Sequence, residues 1–319
     1  MLLLVYVPAW INYEVGLEQI NNLRAQQQIL KSKGINFDLE FSFSVNAVDS
    51  IPEDFEDKLS SSGQNLRHFR TNVADVNINL GFLDAIQSKA DFFWIVSPGD
   101  PISDNALAHI QSFLGTSKEL DFLVADEDGR GIRNISLQIN ELKFETLSEA
   151  SFGMVTGVVY RLEKFRPYLH LGVQAAFTGW GQLAVLLGGA REEMGVTGRI
   201  LPSDYFYFRG DAKLLSHEQK MENLGTYAHS FFGFVILMSL LLPKPIPQIR
   251  SWVYKNWFRV GSYINAYSRE KYGYVRLTDL RHLAKVAVAE TDFFTRALYK
   301  FASRVDFGRL KKKFIRGQD

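Results

Sequence analysis

The sequence predicts an α/β protein with a mostly parallel sheet, and two observations carry this prediction. Short apolar runs typical of strands alternate with longer amphipathic segments typical of helices through residues 1–125. The run at 92–96, Phe-Phe-Trp-Ile-Val, contains no polar residue, as expected of a strand that is covered on both faces. Pro98 and Gly99 then end this strand sharply and put Asp100 just beyond its carboxyl end, the edge at which ligands bind in open α/β sheets.

The first half of the chain is predicted to form five strands and four helices. Strict alternation marks the strand at 37–45, and an apolar stripe at helical spacing marks the helix at 13–31, which Gly34 ends. The predicted strands are 2–7, 37–45, 66–70, 92–96 and 122–125, and the predicted helices are 13–31, 52–59, 77–89 and 104–114.

The alternation of strands and helices ends after Gly131. The predicted elements there are an edge strand at 135–139, a strand within 152–161, a helix within 174–187 and a strand at 200–208. From residue 217 onward the pattern is helical and rich in aromatic residues. The sequence therefore predicts two domains, a sheet domain over residues 1–215 and a helical region over 216–319.

The charges divide the chain at nearly the same place. The net charge is only +1, but residues 243–319 hold 17 Lys and Arg against 6 Asp and Glu, a charge of +11. The other residues hold 19 basic and 29 acidic side chains, a charge of −10. We expect the basic region to face something anionic. An acidic first domain argues against a long nucleic-acid track, so no nucleic-acid partner is predicted.

Several common chemistries have no motif in this chain. The sequence has no cysteine, no Walker A or G-x-G-x-x-G segment, and no H-E-x-x-H or G-x-S-x-G motif. The six histidines are scattered without the spacing of metal ligands. Asp126-Glu127-Asp128, which precedes Gly129, is either an oxygen-rich cation site or a solvated turn, and the sequence leaves both open.

Four segments resemble known motifs in their order and spacing. They are Val5-Tyr6-Val7-Pro8, Ser44-Val45-Asn46-Ala47, Asn77-Ile78-Asn79 and Phe93-Trp94-Ile95-Val96-Ser97-Pro98-Gly99-Asp100. Together they resemble the opening strand, the Ser-Asp-Asn-Ala motif, the Asn-rich segment and the central acidic strand of family 2 glycosyltransferases with the GT-A fold. The last segment is most similar to the abequosyltransferase-like branch of that family.

This resemblance implies a GT-A-like fold, in which a nucleotide sugar lies across the carboxyl ends of the strands. The implied donor-binding residues are Pro8, Asn46, Asn79, Trp94, Ser97 and Asp100. Asp100 would also hold a divalent metal, Mg²⁺ or Mn²⁺, on the diphosphate. The implied activity is transfer of a sugar to a lipid-linked or polysaccharide acceptor in bacterial surface-glycan synthesis, in the cytoplasm.

The chain departs from the family pattern at its acids. Val45 stands where the family has a base-binding Asp, and Pro98 and Gly99 replace two acids of the central motif. No carboxylate stands in 178–182, where the family places its catalytic base, which leaves Asp204 and Asp211 as candidates for that role. The alternative is a catalytically silent GT-A-like module that binds glycan or scaffolds a glycan-assembly complex.

The basic region has two interpretations of its own. Aromatic and cationic side chains are interleaved over 250–269, and 309–316 adds a basic cluster, a composition typical of helices that lie on an anionic membrane surface. This favours a peripheral location at the inner face of the plasma membrane. The other interpretation of the basic region is a helical bundle with a solvated basic face. For the whole chain, a third hypothesis beside the glycosyltransferase and the silent module is a peripheral membrane protein that uses the sheet only as a platform.

Overall fold

The computed structural model describes residues 1–9, 13–46, 65–69, 74–126, 129–142, 152, 155–176, 180–208, 237–238 and 241. Contacts within the chain divide it into two compact units, Met1–Asp211 and Ala212–Asp319. In the second unit only Leu237, Met238 and Leu241 are described, and all three are helical and buried. The predicted helix at 52–59 and the aromatic, basic segments from 250 onward lie outside the described residues.

One mixed sheet organises the described part of the first unit. Its strands are β1 (Leu2–Ala9), β2 (Asp38–Asn46), β3 (Asn65–Phe69), β4 (Phe92–Ile95), β5 (Phe122–Asp126), β6 (Arg133–Leu137), β7 (Val158–Arg161) and β8 (Val196–Pro202). Their order across the sheet is β3-β2-β1-β4-β7-β5-β8-β6. Pairing is parallel except where β7 lies between β4 and β5 and where β6 lies against β8. The predicted α/β class is confirmed.

Helices connect these strands and cover both faces of the sheet. They are α1 (Tyr13–Ser32), α2 (Ala74–Gln87), α3 (Ala106–Ile110), α4 (Leu162–Phe165), α5 (Leu169–Gln174) and α6 (Gly181–Gly189). A π-helical turn, Gln111–Gly115, continues α3, and 3₁₀ turns precede β7 and follow β8. In the described residues we find no helix with the length and apolar character that crossing a bilayer requires.

The pleat of the strands sorts their side chains into two cores. On one face, Val5 of β1 and Trp94 of β4 are fully buried with apolar residues of α1 and α3. On the other face, Phe93 stacks on Tyr160 with ring centroids 6.1 Å apart, and Phe82 of α2 meets Phe93 edge-on at 5.6 Å. Such aromatic pairs add specific geometry to the burial of apolar area. The run at 92–96 is thus buried on both faces, as the sequence predicts.

The topology creates a switch point between β1 and β4. The chain leaves β1 through α1 to β2 and β3, and it returns through α2 to β4 on the opposite side of β1. Ligands of open α/β sheets bind at the carboxyl ends of strands where the order reverses in this way. We call this border the carboxyl edge: β1, β2, β3, β4, β5 and β8 end there, and β6 and β7 begin there.

The prediction of a strand at 200–208 is wrong in its bounds. β8 begins at Val196, directly after Gly195, whose φ of +64° turns the chain, and it ends at Pro202. A 3₁₀ turn follows at Ser203–Tyr205. The aromatic residues after it favour a strand by composition, but Phe206 and Tyr207 are buried against other elements and Phe208 is exposed. The rings of Phe206 and Trp94 lie 6.4 Å apart between centroids.

Candidate functional site

The turn after β4 brings Asp100 to the carboxyl edge beside the switch point. The Asp100 backbone N–H donates to the Ser97 carbonyl at 3.0 Å, and the Gly99 N–H donates to Ser97 Oγ at 3.3 Å. Pro98 is buried in this turn, Gly99 is exposed and Asp100 is half-buried. The tight turn that Pro98 and Gly99 predict is therefore present, and it presents the carboxylate at the end of the central strand.

Thr156 makes a hydrogen bond to the Asp100 side chain. Its Oγ1 donates to Asp100 Oδ2 at 2.6 Å and accepts from the Ser97 backbone N–H at 2.9 Å. Its carbonyl accepts from Trp94 Nε1 at 2.8 Å. Trp94 and Thr156 are both fully buried. The indole of Trp94 therefore acts on the turn through Thr156, and any contribution of Trp94 to donor binding would be indirect.

A row of amides on α1 holds the backbone that surrounds Asp100. Gln19 Nε2 donates to the carbonyls of Ser97 at 3.1 Å and Pro98 at 3.0 Å. Asn22 Nδ2 donates to the Ile102 carbonyl at 3.3 Å, and Gln26 Nε2 donates to the Ser103 carbonyl at 2.7 Å. The three positions follow the i, i+3, i+7 spacing of one helix face. Sequence reasoning missed this row, because polar residues beside an apolar stripe are normally solvated.

Asn77 and Asn79 occupy the start of α2, close to the end of β1. Asn77 Nδ2 donates to the carbonyl of Ala9, the last residue of β1, at 2.9 Å. Asn79 is 3% exposed, and its Oδ1 has no hydrogen-bond partner. A Cβ added to Gly181, the first residue of α6, would lie 2.0 Å from this oxygen. Asn79 therefore packs tightly against the start of α6, where only glycine leaves enough room.

Of the other predicted donor-binding residues, Pro8 is buried inside β1, and Ser97 is half-buried in the turn. The backbone of Asn46 ends β2 at the carboxyl edge, but its side chain lies outside the described residues. The structure thus brings Pro8, Ser97 and Asp100, together with the end of β2, to the switch point. The roles that the resemblance implies for them stay predictions.

The two candidates for the base differ in what the structure describes. Asp204 is exposed in the 3₁₀ turn after β8. The antiparallel bridge between Ile102 and Tyr207 sets a register that places Asp204 opposite the start of α3 rather than opposite Asp100. Burial lowers the pKa of His109 in α3, and the negative charge of Asp204 acts on it in the opposite direction. Asp211 lies outside the described residues.

The acidic cluster at the end of β5 is described only through Asp126. This carboxylate is buried and accepts hydrogen bonds from Arg133 Nη1 at 2.8 Å and from the Arg130 backbone N–H at 3.0 Å. Arg130 Nη2 lies 3.4 Å from its other oxygen. Glu127 and Asp128 lie outside the described residues. Asp126 therefore joins two arginines in an ion-pair network.

A groove of about 480 Å³ lies at the opposite edge of the sheet, beside Met1 and Phe92. Its arginines cap helix ends: Arg161 donates to the carbonyls of Leu114, Ser117 and Leu120, and Arg166 donates to those of Ala85, Ile86, Ser88 and Ala90. Cationic groups that satisfy the last carbonyls of a helix stabilise its end. The arginines of this groove therefore bind backbone carbonyls of the chain itself, and the groove is separate from the edge that contains Asp100.

The structure resembles solved proteins of one architecture. It matches Staphylococcus aureus TarS with a TM-score of 0.51 at 13% identity, over 97% of this chain and 54% of that chain. It also matches residues 1–349 of TarS in complex with UDP (TM-score 0.49, 13% identity, 95% of this chain and 87% of that chain). A third match is the mannosyltransferase PcManGT from Pyrobaculum calidifontis in complex with GDP-Man and Mn²⁺ (TM-score 0.48, 12% identity, 95% and 79%).

These likenesses concern the fold. By sequence, no family model matches the chain, and no curated protein matches it. The conclusion about the fold rests on the full TarS structure, for which the TM-score is 0.51. This chain spans about half of the length of that protein. The chain has a GT-A-like α/β fold, which confirms the predicted architecture of a mostly parallel sheet flanked by helices.

Proposed function

We propose that this chain is a glycosyltransferase that moves a sugar from a nucleotide-sugar donor to a lipid-linked or polysaccharide acceptor in bacterial surface-glycan synthesis. One observation carries the proposal: a carboxylate, Asp100, lies at the carboxyl edge beside the β1–β4 switch point. In GT-A-like folds this edge is where a nucleotide diphosphate fits. The similarity of 93–100 to the abequosyltransferase-like branch supports the same proposal.

The residues around Asp100 fit a divalent cation that takes most of its ligands from its substrate. Mg²⁺ typically binds proteins through one or two carboxylates together with substrate phosphates and water. Among the described residues no group of three or more His, Asp or Glu side chains could hold an ion by itself. Asp100 would be a protein ligand of Mg²⁺ or Mn²⁺. When bound, such a cation neutralises the charge that develops on the leaving diphosphate.

The chain's own residues would prepare this site before the donor arrives. The amides of Gln19, Asn22 and Gln26 fix the backbone around Asp100, and Thr156 orients its carboxylate. A donor that binds such a site does not have to order the loop, so less of its binding energy is lost. Asp204 and Asp211 remain candidates for the base that deprotonates the acceptor hydroxyl.

Donor binding tests this proposal directly. We expect the melting temperature of the full chain to rise with at least one of the UDP, GDP, CDP or dTDP sugars when Mn²⁺ is present. A ligand at 100 times its Kd stabilises the native state by about 2.7 kcal/mol. At about 2–4 °C per kcal/mol, the shift would be about 5–10 °C.

The Asp100→Asn variant should lose most of this shift, because it removes the charge that faces the cation and the diphosphate. Asp104→Asn is the matched control, since Asp104 is an exposed carboxylate four residues further along the same loop. The control should bind donor as the wild type does. A donor shift that survives in Asp100→Asn contradicts the proposal. Binding without any sugar transfer would instead favour the catalytically silent module.

We also propose that the two regions of opposite charge have different functions. Residues 1–215 would bind the nucleotide sugar, and the helical region 216–319 would contact an anionic membrane surface on the cytoplasmic side. Residues 243–319 contain 17 Lys and Arg and 6 Asp and Glu, and the resulting charge of +11 supports this proposal. Each Lys or Arg near an anionic surface contributes about 1 kcal/mol to the attraction.

A further inference from the structure

Thr156 is not among the candidate site residues that the sequence predicts, yet the structure puts its side chain in direct contact with Asp100. It lies in the 3₁₀ turn Val155–Gly157 that leads into β7, and it is fully buried. Its side chain and its carbonyl contact three different residues of the β4 strand and turn, namely Trp94, Ser97 and Asp100. The turn before β7 is thus hydrogen-bonded to β4 and to the turn that contains Asp100.

The chemistry of the hydroxyl fixes the direction of these bonds. The Ser97 backbone N–H can only donate, so Thr156 Oγ1 must accept in that 2.9 Å contact. An ionised carboxylate can only accept, so the single proton of the hydroxyl points at Asp100 Oδ2. The distance of 2.6 Å is typical of a hydroxyl that donates to a charged oxygen. The Thr156 hydroxyl therefore donates one hydrogen bond and accepts one, and both bonds hold the turn.

The location of Asp100 explains why such a bond matters. The carboxylate follows Pro98 and an exposed Gly99, and it is itself only half-buried, so packing alone does not select one orientation. Thr156, by contrast, cannot move, because it is fully buried and its carbonyl is bonded to the buried Trp94. A hydrogen bond from this buried donor therefore restrains the orientation of the half-buried carboxylate.

We propose that Thr156 is a positioning residue, whose hydroxyl holds the Asp100 carboxylate in the orientation that receives the cation and diphosphate of the donor. This inference rests on the proposed function. It predicts that Thr156 influences donor binding only through Asp100. A residue that merely stabilised the fold would act on binding whether or not Asp100 were present.

Three substitutions of Thr156 separate the hydroxyl from the bulk of the side chain. Thr156→Val keeps the shape and removes both hydrogen bonds, whereas Thr156→Ser keeps the hydroxyl. A hydrogen bond to a charged group, once lost, corresponds to about 10- to 100-fold in affinity. We therefore expect Thr156→Val to bind Mn²⁺–UDP or Mn²⁺–GDP about 10- to 100-fold more weakly than the wild type does. Thr156→Ser should bind within about threefold of the wild type.

The measurement is isothermal titration of the full chain with UDP and with GDP, each in the presence of Mn²⁺, and thermal unfolding of every variant without ligand. If Thr156→Val does not fold, Thr156→Ala replaces it, because alanine removes the hydroxyl without adding volume. The decisive step is a double-mutant cycle. In an Asp100→Ala background, which leaves no oxygen to accept the Thr156 proton, Thr156→Val should change the affinity by less than about twofold.

The outcomes distinguish this inference from the proposed function. If the wild type binds neither nucleotide and none of the UDP, GDP, CDP and dTDP sugars raises its melting temperature, the proposed function fails and this inference fails with it. If the wild type binds and Thr156→Val binds equally well, the role of Thr156 is refuted and the proposed function stands. Equal losses in Thr156→Val and Thr156→Ser, or an undiminished loss in the Asp100→Ala background, likewise overturn the positioning role.

Discussion

The ion-pair network at the end of β5 makes a strong prediction about stability. The Asp126 side chain is 1% exposed and lies 2.8 Å from Arg133 Nη1, whereas the side chains of Arg133 and Arg130 are 26% and 43% exposed. Removing one partner of a fully buried pair costs about 3–5 kcal/mol, because the other charge is left uncompensated. Since both arginines can recover hydration here, we expect Asp126→Asn to cost about 2 kcal/mol, the middle of the range for a hydrogen bond between charged groups.

Urea unfolding of the full chain, followed by tryptophan fluorescence, would measure this loss. The denaturation midpoint should fall while the slope of the transition stays unchanged. The melting temperature should fall by about 4–8 °C, at about 2–4 °C per kcal/mol. A double-mutant cycle with Arg133→Met should give a coupling energy of about 1–2 kcal/mol, because the two side chains are in direct contact.

The exposed ion pair between Lys31 and Asp38 supplies the matched control. Its atoms are 3.1 Å apart, but both side chains are 49% exposed, so Asp38→Asn should cost less than about 1 kcal/mol. If Asp126→Asn proves as harmless as this control, the reasoning about burial is refuted. If millimolar Mn²⁺ stabilises the wild type and not Asp126→Asn, the carboxylate is a metal ligand after all.

Two further predictions concern a surface contact and the basic region. Tyr168 donates to Glu192 Oε1 at 2.6 Å, and this bond, then burial, then the charge of Glu192 raise the pKa of Tyr168 from 10.0 to about 12. The folded state holds this proton more tightly, so the contact stabilises the fold below about pH 10, and that contribution is lost as the pH rises from about 10 to about 12. ¹³C NMR of labelled tyrosine should show the high midpoint in the wild type and a lower one in Glu192→Gln; an unchanged midpoint in that variant contradicts the assignment. For the basic region, the full chain should co-sediment with phosphatidylglycerol vesicles and not with phosphatidylcholine vesicles, and changing Lys311, Lys312 and Lys313 to Glu should weaken retention by at least about 100-fold, at about 1 kcal/mol per cation. Equal retention on both vesicles would refute the membrane proposal.

The central strand and its turn could be predicted because their signals are local. The five apolar residues of 92–96 need cover on both faces, and Pro98 and Gly99 favour a tight turn wherever the strand lies. These constraints hold before any tertiary contact forms, so β4 and the location of Asp100 at the carboxyl edge follow from a few neighbouring residues. The parallel pairing of the first four strands then follows from the alternation with helices, whereas their order does not.

The supports of the site could not be predicted, because they join residues that are far apart in the chain. Gln19 contacts Ser97, and Thr156 contacts Asp100, only after α1 and β7 have packed beside β4. A threonine next to the apolar run of a predicted strand gives no sign of a distant partner, since β-branched residues are common in such segments whatever their contacts. The sequence indicated the amides of α1 only in part. They repeat at helical spacing along the border of the apolar stripe, which shows that they share one helix face but not what they contact.

Two separate parts of the chain, α1 and the turn before β7, contact the turn that carries Asp100, and this arrangement bears on how the site would work. Amides of α1 bond the backbone on both sides of the carboxylate, and the hydroxyl of Thr156 bonds the carboxylate itself. Ordering a side chain on binding costs about 0.5–1.5 kcal/mol. Because the fold has already ordered this turn, a donor would keep that free energy as affinity. If the chain binds a nucleotide sugar as proposed, the rigidity of Asp100 would partly offset the absence of acids at positions 98 and 99.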